Sequence, residues 1–501
     1  MVRLSEISPL FFTASGAACF YYALAPLVRR GLPWAVPLLV TAALLTAVLC
    51  LFRVLESLPA SCLDGRTRRR FRKYLICIAA LEAGLFLGAG ARIAASARMR
   101  PGMAEDRITG VAGRLVEDPR LVADGRGMGK LELEYVRGKG GLRTSARGSM
   151  AVFFPDEALP ALKSFGRGSG IYIEGNFSRG REGEEPLFRA RAVHITTAAG
   201  APERFRTALR LKITENFSRR KWGGLSLALL LGMRDNLDTQ LAQSYKNAGC
   251  AHVLALSGMH LAIVSAVLAF FLKKPLGLKA AAITGALFIV VYVFLVGVQP
   301  SLVRSAIMYI LGALSLLGAF PKKAPLLLAM AFLLQLLIWP SSGDSLSFIL
   351  SYLALAGILF IGEAVHNLLR GTLPEFLSQP LSASLGAFIA VAPVTAAFFG
   401  IIQAAGILAG LVIVPLTTLF MIISMAEPVL SLVPFLGKAA DAALSLLYFV
   451  LERLVGSAAR IPPLRISAVP PVLAAAVLTA AAICLFSSRL AARRNRLDPF
   501  S

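Results

Sequence analysis

Apolar runs of bilayer length recur along this chain. Pro33 to Phe52, Ala280 to Gly297 and Pro470 to Ser487 are each about 18 to 20 residues long and nearly free of charge, which is what a helix needs to cross about 30 Å of hydrocarbon. With 56% hydrophobic residues, only 16% charged ones and a mean hydropathy of +0.70, the apolar surface exceeds what one water-soluble core can bury. The expected fold class is therefore a polytopic α-helical membrane protein of about 12 spans. The run from Pro9 to Leu27 reads as the first retained span, not a signal peptide. A second hydrophobic segment follows closely, and no small-residue cleavage site separates the two.

One region breaks this pattern. Between 104 and 200 continuous hydrophobicity gives way to alternation: Ile108 to Val116, Lys130 to Val136, Ser149 to Phe154, Gly170 to Phe177 and Leu187 to Ile195 are short, β-branched and aromatic-rich. Gly, Pro or Asp bounds each, with turns at Asp124-Gly125 and Arg167-Gly168. Five such strands in so short a stretch suit a small all-β OB-like domain, inserted between membrane segments. The insert carries 15 basic and 13 acidic residues from Glu105 to Gly200, so the chain's formal surplus of +24 is not there. It lies beside the membrane, most densely at Arg66, Arg68, Arg69, Arg70, Arg72 and Lys73. The ordinary role of such charge is to hold loops on the cytoplasmic side; contact with anionic lipid or nucleic acid is the sharper alternative. The six cysteines show no metal-ligand spacing and none lies in the insert, so neither a disulfide framework nor a zinc site is expected.

Applying the positive-inside rule to spans at 9–28, 33–52 and 74–92 puts the N-terminus in the cytoplasm and the insert on the outer face. Nine more candidates follow, near 252–270, 278–297, 302–319, 324–339, 346–364, 383–400, 404–425, 441–458 and 469–487. They leave Lys273, Lys274, Lys322, Lys323, Arg370, Lys438 and the tail arginines inside. The domain order expected is an N-terminal membrane segment (1–103), the β domain (104–200), amphipathic and interfacial helices (201–250), a membrane channel domain (251–490) and a basic cytoplasmic tail (491–501). Within the third, Glu203 to Lys221 reads as a basic helix along the membrane surface, and Leu225 to Met233 as interfacial or re-entrant.

Chemistry-bearing residues concentrate in Leu227 to Leu261, where polar and small residues interrupt the start of a membrane helix. His252, Ser257 and His260 would fall on related faces of a continuous helix and line a hydrated path, with Ser257-Gly258 loosening it. The competing reading is that Ser257 and Gly258 let two helices approach while the histidines bond to backbone. Arg304 enters an apolar helix just after Pro300, either as a cation on an anion's path or as the structural partner of a carboxylate such as Asp344. Asp344, Ser345 and Ser347 start a later span, where capping is the plainer role. No HExxH, metallohydrolase cluster, Walker loop or GxSxG elbow occurs, and Ser257 with His260 lacks a third group. An enzyme, a metal and a cofactor are therefore not expected.

The Leu227 to Leu261 block resembles the signature region of the ComEC-type competence proteins, membrane channels through which transformable bacteria import single-stranded DNA. The correspondence runs through Leu231-Gly232, Asp235, Ala248-Gly249 and the core His252-Val253-Leu254-Ala255-Leu256-Ser257-Gly258-Met259-His260. Two later blocks are also similar, Pro300 to Met308 and Asp344 to Leu353, in the same order. Many family members end in a metallo-β-lactamase-like domain that is not seen in these residues, and their OB domain often holds a cysteine pair absent from this insert. The resemblance implies a bacterial inner-membrane channel for one DNA strand. His252, Ser257, Gly258, His260, Arg304 and Ser347 would lie on its path, and Asp235, Pro300 and Asp344 would serve structural or gating roles. Single-stranded DNA, the lipid bilayer, a DNA receptor and a cytoplasmic motor or nuclease in separate chains are the partners it implies. A small-solute or lipid-precursor transporter of the same fold is the alternative, and a hydrolase built on Ser257 and His260 a third.

Overall fold

The structure, a computed structural model, describes residues 9–22, 76–91, 103–121, 127–178, 187–318 and 321–465, less positions 20, 77, 82 and 322. The expected span at 33–52, the basic loop with Arg66 to Lys73, the turn at Asp124-Gly125, the span at 469–487 and the tail at 491–501 lie outside them.

A first helix, α1 (Pro9–Cys19), precedes the β domain. Its strands are β1 (Ile108–Leu115), β2 (Arg120–Leu121), β3 (Gly127–Gly138), β4 (Arg143–Ser145), β5 (Ser149–Phe154), β6 (Gly170–Ser178) and β7 (Leu187–Thr197). The five long ones fall where alternation placed them. They pair in a closed circuit, β1 with β3 and β6, β3 with β5, β5 with β7, and β7 with β6; the β5–β7 pairing is the parallel one. Closure leaves no long edge and turns one residue in two inward. Val111, Leu131, Val152, Ile173 and Phe188, one from each long strand, are fully buried at the centre. A short helix, α2 (Leu159–Phe165), joins β5 to β6 and adds Leu162 to this core.

Helices follow without interruption by long strands: α3 (Ala201–Ser218), α4 (Gly223–Leu231), α5 (Thr239–Asn247), α6 (Ala251–Leu254), α7 (Gly258–Val296), α8 (Pro300–Leu316), α9 (Ala324–Ile338), α10 (Leu346–Ala356), α11 (Glu363–Leu369), α12 (Glu375–Phe399), α13 (Ala405–Leu430) and α14 (Pro434–Ala458). A π-helical turn, Gly357–Gly362, runs α10 into α11. Among the described residues five helical stretches are long and apolar enough to cross a membrane: Gly258–Val296, Leu346–Leu369, Glu375–Phe399, Ala405–Leu430 and Pro434–Ala458. The first of these is two rods in series, because Gly277 takes φ 77° and ψ 168° two residues after Pro275. A positive φ there needs glycine, and the break falls between the two spans expected at 252–270 and 278–297. The helices α8 and α9 are shorter apolar helices at the expected positions 302–319 and 324–339. The stretch at 225–233, expected to be interfacial or re-entrant, is α4, a nine-residue helix buried on nearly every side within the main apolar core.

A buried arginine and a half-buried carboxylate fix the barrel to the helical part. Arg206 of α3 is 1% exposed and grips Asp118, from the loop after β1, with both terminal nitrogens (3.1 and 2.6 Å). Its Nε donates to the carbonyls of Phe294 and Leu295 (2.8 and 3.1 Å), and Arg210 donates to those of Leu295 and Val296 (2.9 and 2.8 Å). These are the orphan carbonyls at the C-terminus of α7, where the helix dipole favours cations. A second attachment joins Asp235 to Lys163 of α2 (2.8 Å) and to the backbone N–H of Leu121 (3.2 Å).

Burial pushes the Asp118 carboxyl up. The hydrogen bonds and charge of Arg206, with the charge of Arg210 and the N–H of Arg167, outweigh it and hold the group below the usual carboxylate range. A group depressed in the docked state strengthens docking above its ordinary value near 4 and loses that contribution as pH falls through the docked value. Limited proteolysis of the segment joining β7 to α3 will therefore show faster cleavage on acidification below the usual carboxylate range. Asp118→Asn will be cleaved faster at neutral pH and will lack this pH response. Arg206→Ala, which takes the bidentate cation from Asp118 and the donor from Phe294 O, will destabilise the purified chain by about 3–5 kcal/mol in thermal denaturation.

Candidate functional site

The chain cannot continue as a helix from α6 into α7. Ala255 turns to φ −78°, ψ 128° and Ser257 to φ −132°, ψ 178°, so residues 255–257 are extended inside an apolar core. At that depth each freed backbone group needs a protein partner. Leu254 O accepts from Arg234 (3.0 Å), Leu256 O accepts from Ser301 Oγ (2.7 Å), and Ser257 N–H donates to His260 Nδ1 (3.2 Å). Ser257 Oγ lies 3.1 Å from the same nitrogen. Ser257 is the N-cap of α7, and His260 at the third helical position turns back onto it, as the acidic residue of a capping box does. His260 is 0% exposed.

Across this break sits the start of α8. Pro300 occupies its first turn, where a missing N–H is tolerated. Arg304, one turn in, is 8% exposed. Its Nη1 donates to the carbonyl of Ser351 in α10 and its Nη2 to Ser305 Oγ (3.3 Å), while its guanidinium lies over the Tyr352 ring at 5.8 Å. Tyr352 Oη donates to Gln335 Oε1 (2.9 Å), and Gln335 Nε2 to Pro300 O (2.9 Å). Among the described residues no carboxylate pairs with Arg304, and its Nε has no acceptor. Gly258 closes the arrangement. A Cβ there would stand 2.8 Å from Ser305 Oγ and 2.9 Å from Arg304 Nη2, so a larger residue would have to push both side chains aside.

The structure thus brings Ser257, Gly258, His260, Pro300 and Arg304 into one buried polar cluster tied to α10. It does not bring the other candidates into it. His252 lies before the break and is exposed, because the extended segment ends the continuous helix that would have aligned it with His260. Ser347 and Asp344 are exposed at the start of α10, where Ser345 takes the N-cap position without a side-chain bond to the helix. Asp235 belongs to the barrel attachment. Sequence reasoning missed Gln335, whose signal is a lone amide in the apolar run Ala324–Ile338. It also missed Arg234, whose bond to Leu254 spans twenty residues.

Comparison with known proteins matches the same region. The competence protein family matches residues 229–492, which contain all three converging blocks. The chain is 28% identical over 172 residues to ComE operon protein 3 of Bacillus subtilis (strain 168), covering 32% of this chain and 21% of that protein. It is 31% identical over 175 residues to an uncharacterized protein of Aquifex aeolicus (strain VF5), covering 35% of this chain and 40% of the relative. The matched segments therefore span well under half of these curated relatives. No solved structure matches the chain. With more than half of its residues inside the family's match, the chain belongs to the competence protein family.

Proposed function

We propose that this protein is a bacterial inner-membrane conduit for import of single-stranded DNA, with the β domain on the outer face receiving the strand. The observation that carries this reading is the break at 255–257 in the family-matched region, beside which a buried cation with an unfilled donor is held by Ser305, the Ser351 carbonyl and the Tyr352 ring. A polyanion crossing a bilayer needs a route lined by such groups. His260 and Arg304 are enclosed in this conformation, so passage requires α7 and α8 to separate beside Gly258. The closed five-strand circuit, with its one parallel pairing and a helix between β5 and β6, supports the OB reading of the insert. Five long apolar helices with α8 and α9 between them support a larger span count, of about twelve, and the positive-inside rule supports cytoplasmic termini. A receptor delivering the strand and a motor or nuclease drawing it inward would be separate chains.

Uptake of fluorescent DNA by a deletion strain tests this directly. Uptake will be lost in the deletion, restored by the wild-type chain, and reduced by an order of magnitude or more by Arg304→Ala. Arg304→Lys, which keeps charge but not the planar fork, will fall between. Normal uptake in the deletion strain removes the assignment and leaves the small-solute reading.

The packing at Gly258 generates a second expectation. Gly258→Ala forces Ser305 and Arg304 aside and will destabilise the chain by about 1–3 kcal/mol, as overpacking does. Ser301→Ala strands Leu256 O at a similar cost. Thermal unfolding of the purified chain in detergent measures both.

A further inference from the structure

A row of ring side chains crosses the outer wall of the barrel. Register aligns Tyr135 of β3, Ala112 of β1, Tyr172 of β6 and His194 of β7 across four consecutive strands. Their neighbours in sequence, Val111, Val136 and Ile173, are fully buried in the barrel core, so by strand alternation the row faces out. Tyr172 and His194 stack with ring centres 6.3 Å apart and planes 24° from parallel. The next row on the same face holds Arg143, Arg137, Gly110 and Glu174. Gly110 makes the arrangement possible: a Cβ there would stand 2.4 Å from Tyr172 Oη, so its absence lets the ring lie across β1 and accept a bond from Arg137 Nη1 (3.4 Å). Arg143 lies over the Tyr135 ring at 5.2 Å.

We propose that this face is a stacking platform for two bases of a single DNA strand, with its phosphates on Arg137 and Arg143. The identity of the strand rests on the conduit reading above; the platform itself rests on the rings and their arginines. Aromatic side chains interleaved with cations are what single-strand binding needs, because unpaired bases expose faces that a duplex hides. The floor between the two tyrosines is not open, since Ala112 is 4% exposed beneath them; a base would stack on the outer face of each half-buried ring.

Local charge favours an anion despite the near-neutral insert. Arg137, Arg143 and the exposed Lys139 stand against Glu174, while Arg114 and Glu134 neutralise each other at 3.0 Å. The loop after β1, one of those that hold ligand in OB barrels, is already committed through Asp118 and Leu121 to Arg206 and Asp235. On β1 the platform begins at Ala112, three residues or about 10 Å back along the strand from its end at Leu115, with Asp118 further on in the loop.

The test uses the full chain in detergent with a fluorescent single-stranded oligonucleotide and an abasic oligonucleotide of equal length and charge, read by anisotropy. Tyr135→Ala with Tyr172→Ala will weaken the base-bearing probe by about tenfold or more and leave the abasic probe unchanged. Arg137→Gln with Arg143→Gln will weaken both and lower the salt dependence by one to two counterions. Equal loss on both probes in the tyrosine variant, or no loss on either, overturns the platform. Photocrosslinking of a 5-bromouracil oligonucleotide to the wild-type chain needs no variant; crosslinks at Tyr135, Tyr172 or His194 support the proposal, and crosslinks confined elsewhere refute it. Stacking as expected alongside normal DNA uptake in the deletion strain would remove the conduit and keep the platform. Lost uptake without these crosslinks would do the reverse.

Discussion

An extended backbone inside an apolar core has to be answered group by group, and residues 255–257 set that demand for the whole helical part of this protein. In water the carbonyls of Leu254 and Leu256 would be solvated freely. Away from water an unanswered backbone group costs several kcal/mol. The donors that meet the demand come from far along the chain, Arg234 on one side and Ser301 on the other. Once Ser301 is placed, Arg304 follows one turn later on the same face of α8, and a buried guanidinium needs acceptors of its own. Ser351 supplies one and Tyr352 the ring over which the charge lies. Three separated sequence blocks are thereby drawn to one point by a single local irregularity.

The barrel meets the membrane part by the same logic applied to a helix end. The last carbonyls of α7 have no partners within the helix, and Arg206 and Arg210 take them. Two arginines so close would repel, and Asp118 relieves this while belonging to the barrel. Burying charges in this way adds little net stability compared with an apolar joint of the same shape. What it adds is geometric definition. A bidentate arginine on a carboxylate and on successive carbonyls permits one docking angle, whereas an apolar face would permit many.

Sequence reasoning reached the elements that depend on local pattern and stopped where distant partners decide. Alternation located all five long strands because inward and outward residues differ along each one. Hydrophobic runs located α7 to α10 and α12 to α14 because a helix of bilayer length is apolar throughout. The polar candidates divided differently. Ser257, Gly258, His260 and Arg304 do meet, yet His252 does not join them, since its alignment assumed a continuous helix and the break lies between. Arg206 was illegible among the many cations from Glu203 to Lys221, which read together as a wetted face. Its partners stand 88 residues away on either side, at Asp118 and Phe294, and no periodicity within α3 carries that information.

Charge shows the same division between sum and arrangement. A near-neutral insert argues against general attraction of a polyanion, because nonspecific affinity scales with the phosphates neutralised. That argument averages over a surface whose charges are not averaged. Arg114 is cancelled by Glu134, Arg167 by Glu203 and Lys163 by Asp235, and each of these pairs is spent on the barrel's own structure or attachment. Setting aside the paired charges leaves the arginines beside Tyr135 and Tyr172 among those not held by a carboxylate within 4 Å. The chain's large surplus of basic residues lies elsewhere, beside apolar runs. Any recognition of an anion by the barrel therefore depends on which of its own cations remain after the ion pairs have formed.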